Sequence, residues 1–285
     1  MDCNKLYDKI HGDIYGRVNV LMRKSPYGQA IVLYEDHRWL LNVLFALRKY
    51  IERPNLIYFD AHDDAAPCEK KSILLDKIGV NGLSEATPKQ FSAFVDYDQD
   101  IDDGGWLTTA MELDLVGDVV NIGNRNNSNI QDFNGLFRSE DGGVHNVFEL
   151  CGNLEYELGN RGKLGDAFKV KEYRDIRDFF GIAKSYDDTY SLSLKNDFVL
   201  DFDLDYFTIS ISDDGTHGWT ERIFNKKYPW GSKQNRFLRY LIEKSSVITI
   251  CREPGCCGSI GDSNRILNIL DRYYFEGRLG TEVTL

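Results

Sequence analysis

The stretch Leu56-Ile57-Tyr58-Phe59-Asp60-Ala61-His62-Asp63-Asp64 decides how this chain is read. An apolar run of strand length ends abruptly in three carboxylates and an imidazole. A buried strand accounts for the apolar half. It does not account for the cluster of ionisable groups behind it, because isolated charges are costly to bury unless they are paired or bound to metal. The chain should therefore supply partners for this cluster from elsewhere.

Working outward, the preceding segment has the same form. Ala30-Ile31-Val32-Leu33-Tyr34 is an apolar run that ends at Glu35-Asp36-His37. Between the two runs, Leu40, Leu41, Leu44, Leu47 and Ile51 recur at helical spacing until Pro54 stops them. Strand–helix–strand predicts a parallel sheet with right-handed crossovers, hence an α/β fold. Further strands are predicted over 118–122, 144–150, 168–170, 197–205 and 247–251. Helices are predicted over 106–115, over 234–244, and from about Ser263 to Gly277 with Asp262 or Ser263 as the cap. Residues 1–29 read as an irregular or short-strand entry segment, and 66–95 as partly helical. Residues 96–105, 123–143 and 208–231 read as polar loops. With no repeat, low-complexity tract or linker, residues 1–285 read as one domain.

Composition excludes some functions. A net charge of −11 argues against general nucleic-acid binding and fits a cationic substrate weakly. No apolar run approaches the roughly 18 residues that suggest a membrane span. The start, Met1-Asp2-Cys3-Asn4-Lys5, lacks a secretory apolar region, so a cytoplasmic location is expected. The six cysteines are then expected to be reduced. They form no CxxC pair, and adjacent Cys256 and Cys257 suit a turn.

Four strand ends carry the unusual chemistry: Asp36-His37, Asp60 to Asp64, Asp203 to Asp205, and Glu253. In an open α/β sheet, ligands bind outside the carboxyl ends of the strands, so these groups are expected to meet. In extended chain, side chains two apart point the same way. Asp60 and His62 can thus face one site, as can Asp203 and Asp205, and Asp64 continues the series if the chain stays extended. Hard carboxylates with His37 and His62 and no thiolate favour Mn²⁺ or a similar ion. The number of donors suits two ions sharing carboxylates, and such a pair activates water at neutral pH.

At this point the chain resembles the arginase–agmatinase superfamily. Asp60-Ala61-His62-Asp63-Asp64 is similar to its Asp-Ala-His-x-Asp motif, Asp203-Leu204-Asp205 to its Asp-x-Asp motif, and Asp36-His37 to the Asp-His that supplies its earliest ligand. The resemblance implies a three-layer α/β/α domain with a mainly parallel sheet of about eight strands. It also implies two Mn²⁺ ions. His37, Asp60, Asp64 and Asp203 would hold one, and Asp60, His62, Asp203 and Asp205 the other, with Asp60 and Asp203 bridging. Glu253 would bind the guanidinium, and Asp205 would pass a proton to the leaving amine. The resemblance covers about residues 30–65 and 197–255.

Departures from the pattern narrow the implied substrate. Tyr34 and Glu35 stand where arginases have glycines, Asp201 where they have Ser, and Tyr206-Phe207-Thr208 where they have Asp-Pro. Ala65-Ala66-Pro67-Cys68-Glu69 has no counterpart of the loop that grips free arginine. The combination of Glu35-Asp36-His37-x-Trp39, Gly105-Trp106 and Asp201-Phe202-Asp203-Leu204-Asp205-Tyr206-Phe207 is similar to a divergent peptide arginase family. That resemblance implies hydrolysis of arginine side chains within a precursor peptide to ornithine and urea. A small-molecule ureohydrolase, a one-zinc amide deacetylase and a non-catalytic metal-containing peptide binder are the rival readings. An oligomer is left open.

Other residues carry plainer readings. Asp201 is either a third inward carboxylate or an acceptor behind a histidine ligand. Asp63 is expected to point away and cap a turn, Asp36 to stand behind a ligand or be structural rather than ligate directly, Trp106 to lie in the core, and Arg252 to pair with a surface carboxylate. His11, His145 and His217 remain as candidates for a proton shuttle.

Overall fold

A computed structural model describes residues 3–14, 20–99, 104–123, 136–150, 197–211 and 215–280. The strand predicted over 168–170 lies outside the described residues. In chain order, α1 (Cys3–Ile14) leads into β1 (Val20–Lys24) and β2 (Ala30–Tyr34). A 3-10 turn, His37–Trp39, opens α2 (Leu40–Leu47), and β3 (Asn55–Phe59) follows. Next come α3 (Lys71–Ile78), α4 (Pro88–Tyr97), α5 (Trp106–Glu112) and β4 (Val119–Ile122). Then follow β5 (Leu136–Arg138), β6 (Val144–Leu150) and β7 (Phe198–Asp203), the last running into a 3-10 turn, Leu204–Phe207. The chain closes with β8 (Thr208–Ile211), β9 (Gly215–Gly218), α6 (Glu221–Lys227), α7 (Lys233–Lys244), β10 (Val247–Cys251) and α8 (Ile260–Leu270).

Eight strands form one sheet in the order β1-β2-β10-β7-β3-β4-β6-β5. The six inner strands run parallel, and β1 and β5 are antiparallel edges. The inner strands are apolar on both faces because helices cover both faces. Val32, Tyr34, Leu56, Tyr58, Val199 and Val247 pack on the side of α1 to α5. Ile31, Leu33, Ile57, Phe59, Leu200, Phe202 and Ile250 pack on the side of α6 to α8. This is the three-layer α/β/α architecture expected from the sequence. β2, β10, β7 and β3 are adjacent and in register, with Cys251 opposite both Tyr34 and Asp203 and with Phe59 opposite Phe202. All four unusual strand ends therefore open on one edge of the sheet.

The structure differs from the expectations at several places. Residues 3–14 are a helix, not an irregular entry, because Leu6, Ile10 and Ile14 form a buried stripe at four-residue spacing. α2 stops at Leu47, short of Ile51; the chain turns through Arg53, at φ +46°, to enter β3. The loop predicted over 123–143 contains the edge strand β5. The loop predicted over 208–231 contains the β8–β9 hairpin and α6, which starts where Thr220 accepts the Ile223 amide at 3.4 Å. α8 begins at Ile260, with Ser259 and not Asp262 or Ser263 as its cap; Ser259 Oγ accepts the Asp262 amide at 3.0 Å.

Candidate metal centre

Two short turns build the centre. Asp60 Oδ1 accepts the His62 amide at 2.6 Å, and Asp203 Oδ1 accepts the Asp205 amide at 2.9 Å. Each aspartate leaves the end of its strand and uses one oxygen to hold its own loop, as short acidic side chains do in turns. The other oxygen of each is left facing inward. The expected convergence of Asp60 with His62 and of Asp203 with Asp205 is thus met, but by turns and not by extended chain. Asp64 also departs from the extended expectation. Its φ is +50°, a left-handed conformation, and this backbone kink swings its carboxylate back to the centre.

The inward oxygens meet at His37. Its Nδ1 lies 2.8 Å from Asp64 Oδ2, 3.2 Å from Asp203 Oδ2 and 3.3 Å from Asp60 Oδ2. On the other side of Asp60, His62 Nδ1 is 2.8 Å from Asp205 Oδ2 and 3.7 Å from Asp60 Oδ1. Asp60 is therefore shared between a group with His37 and Asp64 and a group with His62 and Asp205. The first group is buried, whereas the His62 side chain is 59% exposed, so the second opens to solvent. Glu253, at φ +26°, accepts the His37 amide at 3.1 Å and joins a group with His37 and Asp203.

Behind His37 lies a second layer of contacts. Its Nε2 is 2.8 Å from Asp201 Oδ2. Asp201 Oδ1 accepts Tyr34 Oη at 2.8 Å and Thr249 Oγ1 at 2.5 Å. Of the two readings left open, Asp201 takes the role of acceptor behind the histidine. Trp106 lies in the core as expected, yet it also touches the centre. Its indole N–H donates to Asp64 Oδ2 at 2.5 Å, and its ring centroid is 4.5 Å from that of His37. Asp36 accepts the Arg38 amide and pairs with Arg38, a structural role. Asp63 Oδ1 faces the Ala65 amide at 3.5 Å. Arg252 pairs with Glu35 at 2.6 Å and with Asn264 at 2.7 Å.

Crowded carboxylates shape the electrostatics. Burial, then the charges of Asp64, Asp205 and Asp203, push Asp60 well above the usual carboxylate range. Burial, then Asp205 and Glu253, do the same to Asp203. Burial raises Glu253 as well, partly offset by His37. Burial would raise Asp64, but the His37 ring and the Trp106 indole outweigh it and hold it low. Burial works against the charged form of His37, yet Asp201, Asp203 and Asp64 raise its pKa well above the ordinary value. The Asp205 carboxylate beside the His62 ring lifts His62 to about 9, against a smaller effect of burial.

The donor set fits divalent cations. His37 Nδ1, Asp60 Oδ2 and Asp205 Oδ2 are buried without a hydrogen bond of acceptable geometry. Buried polar atoms are normally satisfied, and a cation among them would satisfy these and relieve the repulsion. All residues expected as ligands, His37, Asp60, His62, Asp64, Asp203 and Asp205, are brought together, with Glu253 beside them. His145 lies at the start of β6, toward the opposite edge of the sheet, where its Nδ1 is 3.1 Å from Gly117 O. His11 is on α1 against Tyr7, and His217 is on β9 opposite Ile209. Among the described residues, none of these three joins a metal-ligating group.

Sequence reasoning missed two features. The tie between Trp106 and Asp64 joins residues 42 apart and leaves no local signal. The second is Cys256, which the fold places with Asp205 and Glu253, although the His37 and His62 groups hold no thiol. Partial burial of its sulfur, then the Glu253 carboxylate, pushes its pKa up to about 12.

No family model matches the chain, and no curated protein matches it. Among solved structures, the chain is similar to formimidoylglutamase from Bacillus subtilis subsp. subtilis strain 168, at 13% identity and a TM-score of 0.42. The alignment covers 89% of this chain and 61% of that one, so the chain spans about three fifths of that neighbour's length.

Proposed function

We propose that this protein is a dinuclear manganese hydrolase that cleaves the guanidinium of arginine side chains in a peptide, giving ornithine and urea. One observation carries the reading. Four acidic or imidazole groups converge on the buried His37 position and share Asp60 with the open His62–Asp205 position, with Glu253 alongside.

His37, Asp60, Asp64 and Asp203 would hold one ion, and Asp60, His62 and Asp205 the other, with Asp203 as a second shared carboxylate. When bound, such a pair supplies Lewis acidity and makes water acidic enough to act as a nucleophile at neutral pH. The protein's own groups do the rest. Glu253 accepts hydrogen bonds from the planar guanidinium and orients it. Water adds to the guanidinium carbon and the C–N bond to the side-chain nitrogen breaks. Both water protons end on that nitrogen, so a guanidinium and water become an ammonium and urea. Asp205 carries one of these protons, since its Oδ2 lies at the open position beside His62.

A peptide is favoured over free arginine by the segment after Asp64. Ala65 is buried, the Ala66 amide donates to Gly104 O, and Thr108 Oγ1 donates to Ala66 O at 2.6 Å. This segment is tied to the start of α5 and offers no charged side chain for an α-ammonium or α-carboxylate until Glu69. The exposed side of His62 leaves an approach for a side chain carried on a longer chain.

The test is to incubate Mn²⁺-loaded protein with arginine-containing peptides, with free L-arginine and with agmatine, and to measure urea, with metal analysis of the same sample. Urea from peptides supports the proposal. Urea from arginine or agmatine alone moves the protein to the small-molecule branch. One zinc per chain with amide deacetylation and no urea sinks it.

A further inference from the structure

Two polar side chains stand inside central strands that are otherwise apolar. Asn121 lies on β4 between Val120 and Ile122, and Tyr58 lies on β3 between Ile57 and Phe59. Both are fully buried, and they face each other across the two strands in register. Residues two apart in a strand share a face. Asn121 therefore shares a face with Val119, and Tyr58 with Leu56, in the core on the side of α1 to α5. Asn121 Oδ1 is buried without a hydrogen-bond partner. A buried acceptor left unpaired is destabilising, and a hydrocarbon side chain here would avoid that loss.

The donor ends of the two side chains account for their presence. Asn121 Nδ2 donates to His62 O at 3.1 Å, and Tyr58 Oη donates to Asp63 O at 2.7 Å. The Leu107 amide donates to the next carbonyl, Asp64 O, at 3.3 Å. Three consecutive carbonyls of the loop are thus held from β4, β3 and α5. A left-handed backbone at a residue other than glycine persists only where the surrounding structure over-determines it, and Asp64 at φ +50° is such a residue. The peptide unit of the Asp63 carbonyl is the one whose orientation sets that φ. The His62 carbonyl belongs to the peptide unit that leaves His62, and the unit that enters it is fixed by Asp60 Oδ1, which accepts the His62 amide at 2.6 Å.

We propose that Asn121 and Tyr58 are positioning residues that set the affinities of the two metal positions separately. Asn121 acts on the open position through His62, and Tyr58 acts on the buried position through Asp64. The proposal rests on the two-ion part of the function above and not on the choice of substrate. The link runs through backbone alone. Ligands locked in place by their supports need no reordering when an ion arrives, so loosening one support weakens the position it serves.

Mn²⁺ binding to the full chain is followed by calorimetric titration and by electron paramagnetic resonance, which separates a coupled ion pair from a single ion. His62→Asn marks the open step, and Asp64→Asn marks the buried one. Asn121→Leu is expected to weaken the open step by about 10–100-fold and to leave the buried step unchanged. Tyr58→Phe is expected to do the reverse. In double-mutant cycles, Asn121→Leu is expected to add nothing to His62→Asn, and Tyr58→Phe nothing to Asp64→Asn. Val120→Ala, on the opposite face of β4, is expected to lower the unfolding midpoint and to leave both steps unchanged. Asn121→Ala is measured beside Asn121→Leu, with circular dichroism to confirm folding. Unchanged binding, equal weakening of both steps, or full additivity in the cycles overturns the proposal. A single ion per chain overturns the two-ion reading and the separate roles with it. The expected pattern of metal binding without urea from any substrate supports these roles and overturns only the hydrolase reading.

Discussion

His37 Nε2 lies 2.8 Å from Asp201 Oδ2, and this contact determines where the other ring nitrogen points. With Nε2–H donated to Asp201, the lone pair of Nδ1 faces Asp60, Asp64 and Asp203. A carboxylate behind a ligand histidine fixes its tautomer and strengthens it as a donor. Asp201→Asn keeps the size of the side chain and removes the charge. Mn²⁺ affinity is expected to fall by about 10–100-fold. Calorimetric titration measures this, and an unchanged affinity would show that the contact serves packing alone.

The bond from Trp106 to Asp64 predicts a second effect at a distance in sequence. Trp106→Phe keeps the ring against His37 but removes the indole N–H. A hydrogen bond to a charged acceptor contributes about 1.5–3 kcal/mol, so denaturant unfolding should show a loss of that order. The indole touches two expected ligands, so Trp106 should report metal binding. The fluorescence change on adding Mn²⁺ is expected to vanish in Trp106→Phe and to survive in Trp230→Phe, whose ring is 72% exposed.

Asp203→Asn separates two duties of one side chain. The amide oxygen can still accept the Asp205 amide and hold the turn. The charged oxygen facing His37 is lost. Thermal unfolding of the metal-free protein is expected to change little or to improve, because one repelling charge is gone. Metal content and urea release are expected to collapse, and elemental analysis beside the urea assay checks this.

Removing metal should make stability depend on pH. Asp60, Asp203 and Glu253 titrate above their ordinary range in the folded protein. Between about pH 4 and those raised values the folded state holds protons that the unfolded chain has released, so stability falls as pH rises. His37, also raised, acts in the same direction, its stabilisation being lost as pH rises through its folded value. Asp64 has the opposite sign, but its titration is complete below the ordinary carboxylate range. The melting temperature of chelator-treated protein is expected to drop from pH 5 to 8. Mn²⁺ should restore it most at the upper end, by about 2.7 kcal/mol at a hundredfold excess over Kd.

His62 gives a pH effect on binding itself. Its contact with the Asp205 carboxylate holds its pKa at about 9 in the metal-free state, so at pH 7 the ring is protonated. A cation at the open position must displace that proton, so its apparent affinity should rise with pH up to about 9. Titration at pH 6.5, 7.5 and 8.5 in buffers of different ionisation enthalpy would reveal the released proton. His62→Asn should flatten the profile.

Much of the centre was legible because its parts are local. An apolar run followed at once by acidic residues marks a strand end, and β2, β3, β7 and β10 were each visible in that way. Their meeting followed from the rule that parallel strands expose their carboxyl ends along one edge. The expectation failed where geometry departs from the strand. Asp60 and Asp203 use turns, and Asp64 lies at positive φ, so the right residues converged for a different reason. α1 and α6 were missed because their apolar residues are sparse and set among charges.

The sequence by itself determined the α/β class, the acidic and imidazole groups at the site and the four strand ends that carry them, because strand periodicity and an abrupt change from apolar to acidic residues are properties of neighbours. The tertiary structure alone decided which atoms face which. Asp201 lies behind His37 at a separation of 164 residues, Trp106 holds Asp64 across 42, and Cys256 is brought to Asp205 by the pairing of β10 with β7. These contacts depend on the sheet order, which no local pattern encodes. The stretch from Leu56 to Asp64 contributes the shared Asp60 and the kinked Asp64, and its charges are tolerable only because distant strands bring His37 to them.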